Sequence, residues 1–238
     1  MCPRHPEIDA AILDLDGTLI DTLGDFAAAL NLMLADLAGP GMARARVDRA
    51  MVGRWVGKGS EHLIHCVLNH ALALNEYGQE AMKLEATLPH ALDSYQRHYG
   101  VINGQYAMVF PGARDGLRAL RRRGLPLACL TNKPTAHARA LLHAKGLDGF
   151  FSHVFGGDAF ERKKPDPLPL RKTCEALGTA PARTLMIGDS SNDAQAARAA
   201  GCPVLLVTYG YNHGEPVRAL DADGFVDSLA ELERVVGA

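Results

Sequence analysis

Asp14-Leu15-Asp16-Gly17-Thr18 follows the apolar run Ala10-Ala11-Ile12-Leu13, and the two together decide how the chain folds. A short apolar run bounded by turn residues predicts a buried strand, so this strand ends in carboxylates. Side chains of an extended segment alternate, which sends Asp14 and Asp16 off the strand end on the same side, and Gly17 then turns the chain. Two like charges about 4 Å apart repel by about 4 kcal/mol at an effective dielectric of about 20. The pattern therefore calls for a cation, a shared proton or open water. A calcium loop of the helix-loop-helix kind is a poor match, because its glycine stands sixth and Gly17 stands fourth.

The composition bounds the rest. A chain of 238 residues with 47% hydrophobic content can fill a packed interior, as one large domain or a core with a smaller companion. A formal charge of -2 gives no long-range attraction to nucleic acid or an anionic membrane, and Arg121-Arg122-Arg123 reads as a solvated helix end. The five cysteines are odd in number, scattered and without a C-x-x-C pair, which argues against disulfides and a zinc site. No apolar stretch is long enough to span a bilayer, and none follows the basic residue near the amino terminus. The expectation is a soluble, unexported, cytoplasmic protein with no membrane partner.

Beyond Thr18 the pattern turns helical for about eighty residues. Phe26, Leu30, Met33, Leu34 and Leu37 mark a helix over 25–37, stopped by Gly39-Pro40-Gly41, and a second helix covers 60–74. A third is predicted over 79–99, bent or split by Pro89. From Phe110 onward, helices and strands alternate: strands over 125–130, 153–155, 184–187 and 203–207, helices over 113–123, 135–145, 167–177 and 192–200. Such alternation predicts an α/β fold with a mostly parallel sheet flanked by helices. The expected organisation is core (1–20), an inserted all-helical subdomain (21–102) and the rest of the core (103–238).

Ligands of such sheets sit beyond the carboxyl ends of the strands. The strand over 125–130 ends in Thr131-Asn132, and that over 184–187 ends in Gly188-Asp189-Ser190-Ser191-Asn192-Asp193. Between them Lys163-Lys164-Pro165-Asp166-Pro167 holds a basic pair just before a helix. Acidic, hydroxylic and cationic groups are thus directed to one edge.

Four carboxylates and one lysine leave a negative site, which a phosphate could enter only beside a cation. Mg2+ takes oxygen ligands and keeps waters, so Asp14, the Asp16 backbone carbonyl and Asp189 are expected as ligands, with Asp193 orienting them. Asp14 is the expected nucleophile toward phosphorus. Asp16, among like charges, is expected to protonate the leaving alcohol and then accept a proton from water. Thr131, Asn132 and Lys164 would hold the phosphoryl oxygens. The predicted chemistry is hydrolysis of a small phosphorylated metabolite.

These four motifs, in this order, resemble those of the haloacid-dehalogenase-like hydrolase superfamily, and the resemblance spans the chain. It implies a Rossmann-like core with a helical cap inserted after the first motif, and Asp16 sets the chain apart from the dehalogenases and phosphonatases of that superfamily. Trp55-Val56-Gly57-Lys58-Gly59, Thr131-Asn132-Lys133-Pro134 and Thr208-Tyr209-Gly210-Tyr211-Asn212-His213-Gly214-Glu215-Pro216 are similar to bacterial phosphoglycolate phosphatases. That similarity implies Mg2+-dependent hydrolysis of 2-phosphoglycolate in the cytoplasm.

Arg54 and Lys58 stand beside Gly57-Lys58-Gly59-Ser60 ahead of a helix, whose free amides favour anions, and are expected to read the substrate carboxylate. The stretch is not a Walker loop, being one residue short and lacking the hydroxyl. His62, His65 and His70 lack the H-E-x-x-H spacing of a zinc helix. Alternatives are a phosphatase for another small ester or pyrophosphate, a sugar-phosphate mutase, and a receiver-like phospho-aspartate switch. A receiver is about half this length and carries no cap. Oligomeric state is not readable from the sequence.

Overall fold

The computed structural model describes residues 7–37, 45–74 and 84–235. Within them the contacts group into two compact units, Met1–Asp21 with Met108–Ala238, and Thr22–Ala107.

The first unit is built on a six-stranded parallel sheet. In chain order it holds β1 (Ala10–Leu13), the two-residue β2 (Ile20–Asp21) and β3 (Met108–Val109), β4 (Leu127–Leu130), β5 (His153–Phe155), β6 (Thr184–Gly188), β7 (Val204–Val207) and β8 (Gly224–Val226). The large sheet runs β5-β4-β1-β6-β7-β8, with every neighbouring pair parallel. All four residues of β1 are buried, as a central strand of apolar residues should be when helices cover both faces. Leu13 lies level with Cys129 of β4 and Ile187 of β6, so the segments following β4, β1 and β6 emerge side by side. The chain leaves β1 for β4 on one flank and later returns to β6 on the other. That reversal of strand order opens the crevice where α/β sheets place ligands.

Helices α5 (Ala113–Arg122), α6 (Thr135–Ala144), α7 (Leu168–Leu177), α8 (Ser191–Ala200) and the short α9 (Leu232–Val235) belong to this unit. Ile12, Met186, Leu206 and Val204 join Leu170 and Cys174 of α7 and Ala196 and Ala197 of α8 in one buried cluster. The small alanines let α8 approach the sheet closely, which brings its amino-terminal turn down onto the end of β6.

Several boundaries depart from the sequence reading for local reasons. β4 starts at Leu127 and β7 at Val204, because Pro126 and Pro203 have no N–H for the ladder. β8, with only Phe225 and Val226 to bury, is too short to show a period. β2 and β3 pair antiparallel, Ile20 with Val109 and Asp21 with Met108, a ribbon that two residues of sequence cannot announce.

The second unit carries α1 (Leu23–Asp36), α2 (Arg49–Trp55), α3 (Ser60–Ala73) and α4 (Leu84–Ile102), with no strand among its described residues. Phe26, Leu30, Met33 and Leu34 line the buried face of α1. Phe26 stacks on Tyr99 of α4 with ring centroids 5.3 Å apart, and Tyr99 on Tyr95 at 5.4 Å. Asp25 is fully buried, and its two oxygens accept the backbone N–H groups of Gly104 and Tyr106, each at 2.6 Å. The helix runs unbroken through Pro89, so of the bend or split expected there the split does not occur. Ala91, Tyr95, Tyr99 and Ile102 beyond it are all buried, and that packing holds the helical path past the missing N–H. The short α2 was not anticipated, since only Val52 of its seven residues is buried. The predicted stop at Gly39-Pro40-Gly41 and the start of the third helix at residue 79 lie outside the described residues. No helix among the described residues is long and apolar enough to cross a membrane.

Candidate active site

Asp14 leaves the end of β1 with its N–H donated to the Ile187 carbonyl at 2.9 Å, and its side chain is 11% exposed. Lys164 stands in the loop ahead of α7, 3% exposed. Its ammonium lies 2.9 Å from Asp14 Oδ1, and it donates to Asp193 Oδ1 at 2.6 Å and to the Leu130 carbonyl at 2.8 Å. The contact to Asp14 is a charge pair without hydrogen-bond alignment, whereas the other two are directed bonds. Burial pushes the Asp14 carboxyl up to about 7, against the lowering effect of Lys164. Burial would lower the Lys164 ammonium, yet the Asp14 and Asp193 carboxylates outweigh it and hold the lysine above its usual range.

Asp189, just past β6, is 3% exposed. Oδ1 accepts the Thr18 hydroxyl at 3.1 Å and Oδ2 accepts the Tyr211 N–H at 2.6 Å. Burial, reinforced by the charges of Asp193 and Asp14, pushes its carboxyl well above the usual range. Two glycines make this approach possible. A Cβ on Gly17, where φ is +86°, would sit 2.1 Å from Asp189 Oδ2, and one on Gly210 would sit 2.2 Å from Asp189 Cβ.

Asp193 occupies the first turn of α8. Its Oδ2 accepts the Ser190 hydroxyl at 2.8 Å and the N–H groups of Ser190 and Asp189 at 3.2 Å. A serine at the start of a helix and an acid three residues on satisfy the free amides there. Both Asp193 oxygens are thus engaged by the protein itself.

Thr131 is buried past β4, with its N–H on the Phe155 carbonyl and its hydroxyl accepting the Lys133 N–H at 3.2 Å. The Asn132 side-chain amide donates to the Lys164 carbonyl at 2.8 Å. Asn132 thereby ties the segment after β4 to the lysine loop. Asp16 carries a partner that the sequence reading did not foresee. Its Oδ1 accepts from the Lys133 ammonium at 2.8 Å, with the two side chains 15% and 2% exposed. Like charges alone were expected around Asp16, and a buried cation stands against it.

A family model for the haloacid dehalogenase-like hydrolases matches residues 8–201, which takes in every residue just described except Gly210 and Tyr211. The chain belongs to this family. The hydrolase is 42% identical over 229 residues to the phosphoglycolate phosphatase of Thiobacillus denitrificans, covering 96% of each chain. It is 36% identical over 243 residues to that of Escherichia coli strain K12, covering 98% of this chain and 94% of the relative. Its fold superposes with a TM-score of 0.87 on the crystal structure of a predicted phosphoglycolate phosphatase from Haemophilus somnus 129pt, at 31% identity. That superposition covers 97% of this chain and 98% of the other.

The hydrolase thus brings Asp14, Asp189 and Asp193 together, with carboxylate oxygens within 4.8 Å of one another. Lys164 and Asn132 join them through the contacts above, and Asp16 through its charge, which acts on Asp14. Arg54, in the last turn of α2, and Lys58, in the turn before α3, are exposed and belong to the other unit. Asp14, Asp16, Asp189 and Asp193 bring four formal negative charges, and Lys133 and Lys164 two positive ones. The difference is the charge of one divalent ion, and an all-oxygen donor set suits a hard cation.

Sequence reasoning quoted Thr18, Lys133 and the segment after β7 within its motifs but gave none of them a role in the site. Tyr209 donates its hydroxyl to the Thr18 carbonyl at 2.8 Å, Tyr211 to Asp21 Oδ1 at 2.6 Å, and Asn212 Oδ1 accepts the Ser191 N–H at 2.9 Å. The available signal was the aromatic-glycine-aromatic spacing of Tyr209-Gly210-Tyr211 just past a strand end.

Proposed function

We propose that this hydrolase cleaves phosphate monoesters with the help of Mg2+, through a phosphoryl group carried by Asp14, and that 2-phosphoglycolate is its substrate. The observation that carries the chemistry is the Asp14 carboxylate, buried at a strand end with the Lys164 ammonium 2.9 Å away and two further carboxylates alongside. A buried acid held among cations and carboxylates is a candidate nucleophile rather than a structural ion pair.

Asp14, Asp189 and the Asp16 backbone carbonyl are the groups proposed to hold Mg2+, with Asp193 fixing Lys164 and the turn that carries Asp189. Bound there, Mg2+ supplies positive charge against the phosphoryl oxygens. An Asp14 oxygen bonds to phosphorus as the ester P–O bond breaks, and Asp16 gives a proton to the departing oxygen. Asp16 then takes a proton from water, the water oxygen bonds to phosphorus, and the bond to Asp14 breaks to release phosphate. Thr131, Asn132 and Lys164 hold the phosphoryl oxygens, where electrostatic stabilisation does most for this chemistry.

The substrate reading rests on the relatives from Thiobacillus denitrificans and Escherichia coli. Arg54 and Lys58 are proposed to read the carboxylate of this small metabolite, and a cytoplasmic setting follows the same reading. The test is phosphate release from 2-phosphoglycolate with Mg2+ and with a chelator present, beside pyrophosphate and hexose phosphates. Mg2+-dependent turnover that favours 2-phosphoglycolate is expected, with loss of activity and of a trapped phosphoryl group in Asp14→Asn. Near wild-type turnover by Asp14→Asn would falsify the covalent route, and a preference for another ester would replace the substrate.

A further inference from the structure

The two buried lysines of this site are divided between its carboxylates. Lys164 spends its ammonium on Asp14, Asp193 and the Leu130 carbonyl. Lys133 directs its own to Asp16 Oδ1 at 2.8 Å from a side chain only 2% exposed. We infer that Lys133 is a positioning residue that holds the Asp16 carboxyl group by Oδ1, so that the proton it gives to the leaving oxygen is carried on its other oxygen. The inference deepens the proposed function and rests on the proton-shuttling role of Asp16.

Three observations support it. First, Asp16 lies in a turn held by its backbone, with Gly17 N–H on the Ile20 carbonyl at 3.0 Å. Thr18 and Gly17 in the same turn are engaged with Asp189. Lys133 supplies a fixed side-chain partner for the aspartate within this turn. Second, Lys133 is held at both backbone ends. Its N–H donates to Thr131 Oγ1 at 3.2 Å, and its carbonyl accepts the Gly157 N–H at 2.9 Å. A Cβ on Gly156 would come within 2.5 Å of that carbonyl, so β4 and β5 deliver the lysine from a tightly packed loop. Third, burying an ammonium is costly without a partner, and a long stem kept from solvent to reach one carboxylate is a built contact rather than a surface pair. A carboxylate that must meet one oxygen atom of the substrate gains rate from being held in one orientation.

The inference separates two kinds of substrate. Expulsion of an acidic phenol needs little protonation, whereas expulsion of an alcohol needs it fully. The value of kcat/KM reports the step that expels the leaving group. The experiment therefore measures kcat/KM of wild type, Lys133→Met and Lys133→Arg on p-nitrophenyl phosphate and on a simple alkyl phosphate. Lys133→Met is expected to lose about 10- to 100-fold on the alkyl ester, a part of what general acid catalysis supplies, and less than about threefold on the aryl ester. Lys133→Arg, which keeps the charge, is expected to recover part of the alkyl activity. In an Asp16→Asn background, Lys133→Met should add no further loss on the aryl ester, since the group it positions is gone.

Equal losses on both esters, or no loss on either, overturn the inference. A multiplied loss in the Asp16→Asn background does so too, because Lys133 would then act on the substrate directly. Thermal unfolding of each variant identifies any that fails to fold, and Lys133→Arg carries the test if Lys133→Met does. A wild-type protein that turns over neither these esters nor 2-phosphoglycolate sinks the proposed function itself, an outcome distinct from all of these.

Discussion

Asp193 and Lys164 meet at 2.6 Å with side chains only 1% and 3% exposed, and the same aspartate closes the first turn of α8 through Ser190. One carboxylate thus fixes both the lysine beside Asp14 and the turn bearing Asp189. Asp193→Asn keeps the shape and removes the charge, leaving a buried ammonium short of a partner. It should cost about 3 kcal/mol of stability, the usual scale for breaking a buried pair from one side. Urea unfolding measures this, and an unchanged midpoint at the same slope would show the pair to be dispensable.

Gly210 permits contact that no side chain could share, since its Cβ would lie 2.5 Å from Asp189 Oδ2 and 2.6 Å from the Gly17 carbonyl. Gly210→Ala must push Asp189 and the Gly17 turn apart. If Asp189 is a metal ligand as proposed, the Mg2+ concentration for half-maximal activity should rise about tenfold or more. A titration that superposes on the wild-type curve would remove Asp189 from the metal site.

Burial raises the Asp14 carboxyl to about 7, from near 3.8 when unfolded. Between those values the folded state binds the extra proton, so metal-free stability contributed by this group is full at low pH and is lost as pH climbs through 7. Asp189, raised by the same cause, acts in the same direction. In a chelator, melting temperature should fall between pH 5 and pH 8, and Mg2+ should restore more at pH 8 than at pH 5. The reverse order in differential scanning calorimetry would mean that these acids are not the metal-sensitive groups.

Arg54 and Lys58 carry the proposed preference for a carboxylated substrate. The double variant Arg54→Ala/Lys58→Ala should lose about tenfold or more of the ratio of kcat/KM between 2-phosphoglycolate and a phosphorylated neutral alcohol, the scale of one charged contact. Its turnover of the neutral ester should stay close to wild type. An unchanged ratio assigns the discrimination to other residues.

Asp25 supports the second unit by accepting two backbone N–H groups at 2.6 Å from a fully buried position. Asp25→Ala leaves both amides unpaired and should cost about 2 to 6 kcal/mol, at about 1 to 3 kcal/mol for each buried group. Asp25→Asn retains one acceptor and should fall between that and wild type. Equal stability of all three proteins would show that water replaces the carboxylate at no cost.

The parallel sheet was legible because Ala10–Leu13, Leu127–Leu130, residues 185–187 and Val204–Val207 are continuous apolar runs, the signature of strands buried on both faces. Asp14 and Asp189 were legible as neighbours because each follows such a run. The pairing of Lys133 with Asp16 was not, since a lysine next to a proline reads as solvated until another segment is seen to cover it. Nor could the sequence reveal that Asn132 spends an amide hydrogen on the Lys164 carbonyl, because 32 residues separate them.

The order of chemical groups along the chain is a property of sequence: period-two and period-3.6 patterns report which residues end strands and begin helices, and those ends carry the acids, the hydroxyl and Lys164. Which of these groups touch is a property of tertiary structure. Strand order placed β1 between β4 and β6, and glycine at positions 17 and 210 let Asp189 close in. The partition of two ammoniums among four carboxylates depends on distances across loops remote in sequence, where Coulomb energy changes steeply and local periodicity is silent.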